Sequence, residues 1–111
     1  MATVEECRVA LERLGERMAA KAAEGSQIDF DRSLSCRITD LGVGFHGDLV
    51  GGRIENVTAG ENPKAKLKLT AGSDDLIALV NGQLNAASAW ASGRIKIDAS
   101  LMDLMKLRKL L

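Results

Sequence analysis

Between Gly25 and Arg32 the spacing of apolar residues changes from helical to alternating, and this limits the chain to folds that lay helices on a one-faced sheet. Upstream, Val4, Cys7, Leu11, Leu14 and Met18 recur every three or four residues, the stripe of a helix spanning about residues 4–23. Thr3 with Glu6 three positions on is a capping-box signature that opens it, and it fades through Ala22, Ala23 and Glu24 into Gly25. Downstream, Leu34, Cys36 and Ile38 alternate with Ser33, Ser35, Arg37 and Thr39. Past a turn at Asp40-Leu41-Gly42, Val43, Phe45 and Leu49 keep the same beat, and Gly51-Gly52 leads into a third, less regular strand from Arg53 to Thr58. A loop with the only proline, Pro63, precedes a fourth alternation from Lys64 to Thr70. Short links predict an antiparallel meander. Strands that alternate rather than running wholly apolar have one packed and one solvated face. The outer face is expected to carry Arg37, Lys64, Lys66, Lys68, Arg94 and Lys96, and every helix must lie on the other side. The fold class is therefore a two-layer α+β domain, and 111 residues make a single one, 1–111.

The last forty residues read as helix, Gly, helix, Gly, strand, helix. Ser73 with Asp74 and Asp75 is expected to cap a helix whose apolar positions are Leu76, Ile77, Leu79 and Val80, and Gly82 stops it. Asn85 caps a short helix over Ala86–Ser92 that carries Trp90 and ends at Gly93. Arg94 to Asp98 is a fifth strand with Ile95 and Ile97 facing inward, and Ser100 with Asp103 opens a final helix. Wound at 100° per residue, this last helix gathers Leu107, Leu111, Leu104, Leu101 and Met105 on an arc of roughly 160°, broken by Arg108. So apolar an end helix is either sunk in the core or lids something apolar.

Charge and motifs narrow the chemistry. Basic and acidic residues balance at 15 each, so no global field draws the chain to nucleic acid, and none is expected as a partner. Residues 94–111 alone carry five basic side chains against two acidic ones, a local +3. Cys7 and Cys36 are too few for a disulfide framework or a zinc site, and reduced thiols point to a reducing cytoplasm. The acidic start lacks a signal-peptide pattern, no apolar run reaches the length of a membrane span, and the final Lys-Leu-Leu is a poor match to a peroxisomal address. His46 falls on the solvated face by parity, Cys36 and Cys7 fall on core positions, and no hydrolase, metalloprotease or phosphate-loop motif occurs. The chain therefore reads as no enzyme, with no metal and no cofactor. Phe30, Phe45 and Trp90 are its only aromatics, too few to stack bases across a sheet. What remains is apolar volume. Two readings fit it: the side chains fill a core, or they line a pocket for an apolar ligand closed by the terminal helix.

The run Asp74-Asp75-Leu76, Asn81-Gly82-Gln83-Leu84-Asn85 and Ala89-Trp90-Ala91-Ser92-Gly93-Arg94-Ile95-Lys96-Ile97 resembles the C-terminal half of the sterol carrier protein 2 family. The earlier order of helix, three-stranded meander and crossing strand is similar too, so the likeness covers nearly the whole chain. It resembles a short, bacterial-type, stand-alone member with a terse Gln83–Gly93 region and without the family's peroxisomal tail. The resemblance implies a five-stranded, largely antiparallel sheet with helices on one face and an apolar tunnel between the layers. It implies non-catalytic binding, and transfer, of a fatty acid, fatty acyl-CoA, sterol or phospholipid. The lining carried over is Phe45, Leu67, Leu76, Ile77, Val80, Leu84, Trp90, Ile95, Leu101, Leu104 and Met105. Lys106, Arg108 and Lys109 would touch anionic headgroups. The alternative is a ligand-free structural module that dimerises through an apolar helix face.

Overall fold

The computed structural model describes residues 2–25, 31–51 and 53–110, apart from the side chains of 22–25 and 108–110. Phe30, Gly52 and Leu111 lie outside the described residues, as do the side chains of Arg108, Lys109 and Leu110. Helix α1 spans Val4–Gly25 and opens with the expected box. The Thr3 N–H donates to Glu6 Oε1 and the Glu6 N–H to Thr3 Oγ1, both at 3.1 Å. Its stripe of Cys7, Leu11, Leu14 and Met18 is buried together with Ala10, while Val4 stays exposed. Gly15 sets how closely α1 lies on the sheet. A Cβ there would stand 2.5 Å from the backbone nitrogen of Ile54, so the helix approaches a strand more closely than any side chain permits.

The sheet comprises β1 (Arg32–Ile38), β2 (Val43–Val50), β3 (Arg53–Ala59), β4 (Leu67–Ala71) and β5 (Ile95–Asp98). Their order is β3-β2-β1-β4-β5; β1 and β4 run parallel and the other neighbours antiparallel. Opposite Gly47 the ladder slips, with Asn56 at φ 57°, a bulge that accounts for the irregular third strand.

A chain that leaves β3 at one edge must pass β2 and β1 before it can start β4. Residues 60–66 make this crossing over the outer face. The Gly60 N–H donates to the Gly44 carbonyl at 2.8 Å, and His46 Nδ1 lies 2.9 Å from the Gly60 carbonyl. Asn62 N–H donates to Ser35 Oγ at 3.1 Å, and Lys66 N–H to Ser33 Oγ at 2.9 Å. Two expectations change as a result. The centre of the outer face is covered, which is why the outward Ser35 is buried. Strand β4 begins at Leu67 instead of Lys64, because the Lys66 N–H is spent on a serine side chain and not on the ladder. The expected basic face is partly neutralised too, Arg37 pairing with Glu61 at 3.0 Å and Arg94 with Asp75 at 2.6 Å.

Helices α2 (Ser73–Val80), α3 (Ala86–Ala91) and α4 (Leu101–Leu110) complete the second layer. Both predicted glycine stops hold. Gly82 at φ 77° closes α2, with Gln83 N–H on the Ala78 carbonyl and Gly82 N–H on that of Leu79. Gly93 at φ 79° closes α3 likewise, with Arg94 N–H on Ala89 and Gly93 N–H on Trp90, the paired bonds of a Schellman end. The start of α2 differs from expectation. Ser73 is its first helical residue, Gly72 holds the cap position, and the capping carboxylate comes from Asp40 in the β1–β2 turn. Asp40 Oδ1 accepts the Ser73 N–H at 2.7 Å and Oδ2 accepts the Ser73 hydroxyl at 2.5 Å. Ser73 Oγ in turn accepts the Ala2 N–H at 3.1 Å, which ties the start of the chain to α2.

These two bonds from Ser73 hold the Asp40 carboxyl below its ordinary value of 3.8. A depressed folded value means that this stabilisation is complete above the unfolded value and disappears as pH falls through the folded one. Asp40→Ala is therefore expected to lower the melting temperature at neutral pH. Melting followed against pH should show that difference shrinking on acidification below pH 3.8.

Candidate functional site

Every helix lies over the inner face of the sheet, so the apolar side chains meet in one slab. Leu34, Leu67, Leu69 and Ile95 form its floor; Leu11, Leu14 and Met18 from α1, Leu79 from α2 and Leu107 from α4 form its roof. Between them is a void of about 30 Å³, lined by these residues with Leu49, Ile54, Lys68 and Ile97. That is about the volume of one water molecule, and an apolar pocket of this size stays dry. An acyl chain needs many times more room, so it enters this closed arrangement only if the helical layer moves.

Two open recesses flank the void. One, of about 510 Å³, runs between α3 and β5 and is lined by Asn85, Ala86, Ala87, Trp90, Ala91, Ile95 and Ile97. The other, of about 380 Å³, is lined by Leu14, Arg17, Met18, Lys21, Leu79 and residues 82–86. Ile95 and Ile97 border both the first recess and the void, while Leu14, Met18 and Leu79 border both the second recess and the void. Asn85 and Ala86 border both recesses. The segment from Gly82 to Ala91 therefore lies across the mouth of the slab, between the helix-ending glycines Gly82 and Gly93. Both glycines are in the left-handed region and have open space where a side chain would stand. Arg17 secures the end of α2 before this segment, its guanidinium Nη1 donating to the Leu79 and Val80 carbonyls at 2.8 Å each.

The carried-over lining is divided by this arrangement. Leu67 and Ile95 border the void, Ile95 and Trp90 the larger recess, and Leu84 the smaller one. Phe45 and Leu76 are buried in the core without reaching either space. Ile77 and Val80 turn to a separate recess against α1, beside Val9 and Arg13. The terminal helix is rolled away from the expected arc. Leu107 is buried and Leu104 half-buried, but Leu101 and Met105 are 75% and 61% exposed. The cause is an ion pair. Asp103 is buried on the inner side of α4, where both its carboxylate oxygens accept from Arg32 Nε of β1 at 3.1 and 3.2 Å. Ser100 Oγ accepts the Asp103 N–H at 3.2 Å, so the expected cap forms and presents the same residue inward. With Asp103 and Leu107 facing in, Leu101, Met102 and Met105 must face out. Sequence reasoning missed the α1 contribution of Leu11, Leu14 and Met18 to the site, although the stripe itself was plain. Nothing local says that a core stripe also roofs a void.

The reactive side chains lie elsewhere. Burial pushes the Cys36 thiol up to about 12, with Cys7 and Glu61 adding to the effect, and Cys7 is raised chiefly by burial as well. Both are free thiols that carry little thiolate. Among the described residues no group of His, Cys, Asp and Glu is placed to hold a metal ion. No described helix is long and apolar enough to cross a membrane.

The sequence model of the SCP-2 sterol transfer family matches residues 11–111. The chain belongs to this family. Its sterol carrier architecture is shared by sterol carrier protein 2 like 2 from Aedes aegypti, at 19% identity over 94% of this chain and 98% of that one, with a TM-score of 0.62. Sterol carrier protein 2 from the same mosquito, solved in complex with palmitate, gives 19% identity over 98% and 94% and a TM-score of 0.65. The stereoselective inverting sec-alkylsulfatase from Pseudomonas sp. gives 22% identity and a TM-score of 0.60 over 89% of this chain, but the chain spans only 14% of that enzyme. At these identities the structures share a fold. No curated protein matches the chain by sequence.

Removing the Asp103 carboxylate should loosen α4 alone. Asp103→Ala is expected to cost about 1–3 kcal/mol, below the figure for a wholly buried pair because Arg32 remains one-third exposed to solvent. Amide exchange should then accelerate across residues 101–107 and stay unchanged in β1.

Proposed function

We propose that this sterol carrier family member binds one apolar chain between sheet and helices without catalysis, and carries it between donor and acceptor. The observation that carries this reading is the placement of residues 82–91, which border two recesses that meet the same apolar slab. Raising this segment would join three spaces along the inner face of the sheet. The palmitate complex of the mosquito relative supports the same ligand class. Ile95 and Ile97 would form the sill that the chain crosses, Trp90 and Leu84 the walls, and Leu107 the plug it displaces. The driving force is roughly 0.8 kcal/mol per buried methylene, on the order of 8 kcal/mol for ten carbons before ordering and repacking costs. A flexible acyl chain can thread past side chains that rotate in place, whereas a rigid sterol needs one continuous slot. Fatty acid or fatty acyl-CoA is therefore the better cargo, and the free buried thiols fit a reducing cytoplasm. The competing reading is a closed module without ligand, favoured by the small size of the void.

Titration with palmitate is expected to shift Trp90 emission and to raise the melting temperature, with cholesterol doing less. No change in either signal at saturating fatty acid would leave the closed module standing. Ala91 is exposed on the wall of the larger recess, so Ala91→Trp should preserve the fold. It is expected to weaken palmitate binding about tenfold, the effect of a barrier worth ~1.4 kcal/mol. Isothermal titration of both proteins measures this.

A further inference from the structure

The two edges of the sheet are built differently. At the β3 edge the bulge opposite Gly47, with Asn56 at φ 57°, bends the strand and spoils it as a template for a further ladder. At the other edge β5 pairs with β4 over Ile95–Asp98 without a slip. Among the described residues no other segment pairs with β5 through its backbone, so its far side is open. A short edge strand carrying lysine is also a device that keeps sheets from associating. Strand β5 departs from that device in one respect, because its charges complement themselves. Lys96 and Asp98 are exposed, two positions apart on the outer face, and Ile97 lies between them on the inner face. Neither charge enters an ion pair among the described residues, whereas the neighbouring Arg94 is paired with Asp75.

We propose that β5 pairs with β5 of a second copy of this chain, antiparallel about a twofold axis at Ile97, so that one sheet runs through both chains. Residues opposed in an antiparallel pair share a face. This register sets Lys96 against the second copy's Asp98, and Asp98 against its Lys96, while the two Ile97 side chains meet on the inner face. An axis at Lys96 would oppose two lysines, and one at Asp98 two carboxylates, so charge selects a single register. Within its own chain Asp98 already stands opposite Lys68 of β4, and the pairing places each carboxylate in a row between two lysines. A strand of unrelated sequence would leave Lys96 or Asp98 without an opposite charge, which is why a second copy is the occupant. The contact also reaches the inner layer. Ile97 borders the recess of about 510 Å³ between α3 and β5, and the second copy's Ile97 adds an aliphatic wall beside it. The pairing itself needs no cargo.

The test is sedimentation equilibrium of the full chain without lipid, at concentrations from about 0.01 to 1 mM, the range of a small transient interface. Wild type is expected to rise from the mass of one chain to that of two. Lys96→Asp and Asp98→Lys replace exposed side chains and are expected to fold as wild type. Each alone opposes like charges in the dimer and should self-associate about tenfold more weakly. Mixed in equal amounts they should associate again, since every opposed pair is then of unlike charge. Ile97→Cys is expected to form a covalent dimer in oxidised glutathione, because opposed residues stand about 5 Å apart at Cβ. Val50→Cys, exposed on β2, should remain a monomer there, and the native thiols are buried. A wild type that stays monomeric throughout, reversal variants that dimerise as readily as wild type, or a mixture that stays monomeric would overturn the proposal. So would a dimer indifferent to the reversals but lost in Met102→Ser with Met105→Ser, since the contact would then lie on α4. Palmitate titration of Trp90 is read separately, so failed pairing and failed cargo binding are told apart.

Discussion

A sheet that offers apolar side chains on only one face must collect all its helices there, and in this protein the other face is further committed to the chain's own crossing. Residues 60–66 occupy the outside of β1 and β2 through the Ser33 and Ser35 hydroxyls and the Gly44 carbonyl. That crossing lets β4 enter beside β1 in parallel, with β5 pairing at its far edge and the helices after β4 on the inner side. Everything apolar is then pressed into one slab. The close seat of α1 at Gly15 makes the slab thin over β3, and two open recesses border the slab where α1, α2, α3 and β5 come together.

Stability is distributed unevenly over this slab. Helix α1 is capped at its start, striped with buried residues and wedged against β3, whereas α3 is a six-residue helix held by one fully buried alanine, Ala89, and flanked by left-handed glycines. Among the described residues, helix α4 buries Leu107 and Asp103, the latter in a partly exposed ion pair. Elements with few buried apolar contacts open at lower free-energy cost than the rest of a domain. The proposed carriage of an apolar chain would draw on that asymmetry, because the ligand must enter an interior that is otherwise packed shut. Weakly held cover and firmly held floor belong to different parts of the same chain.

Most of the site was legible one element at a time. The alternating residues of β1, the stripe of α1 and the stops at Gly82 and Gly93 depend on backbone geometry and periodicity, which neighbouring residues settle among themselves. The run from Asp74 to Ile97 carried enough of the family pattern to name the fold. Lining residues were legible only in part. Trp90, Ile95 and Leu84 do border the recesses, yet Ile77 and Val80 face α1, a choice made by how two helices cross.

The amino-acid order by itself determined which segments are helix or strand, which face of each strand is apolar and where helices end, because these follow from local hydrogen bonding and side-chain period. Three matters waited on the tertiary structure. Asp40, not Ser73, caps α2, since a carboxylate 33 positions away in the chain arrives closer than any local acceptor. The segment before β4 is a crossing strap, since strand order dictates where the chain must travel. Helix α4 turns Asp103 inward and its methionines outward, since one charge-assisted pair with Arg32, separated by 71 positions, outweighs the apolar arc that periodicity alone would have buried.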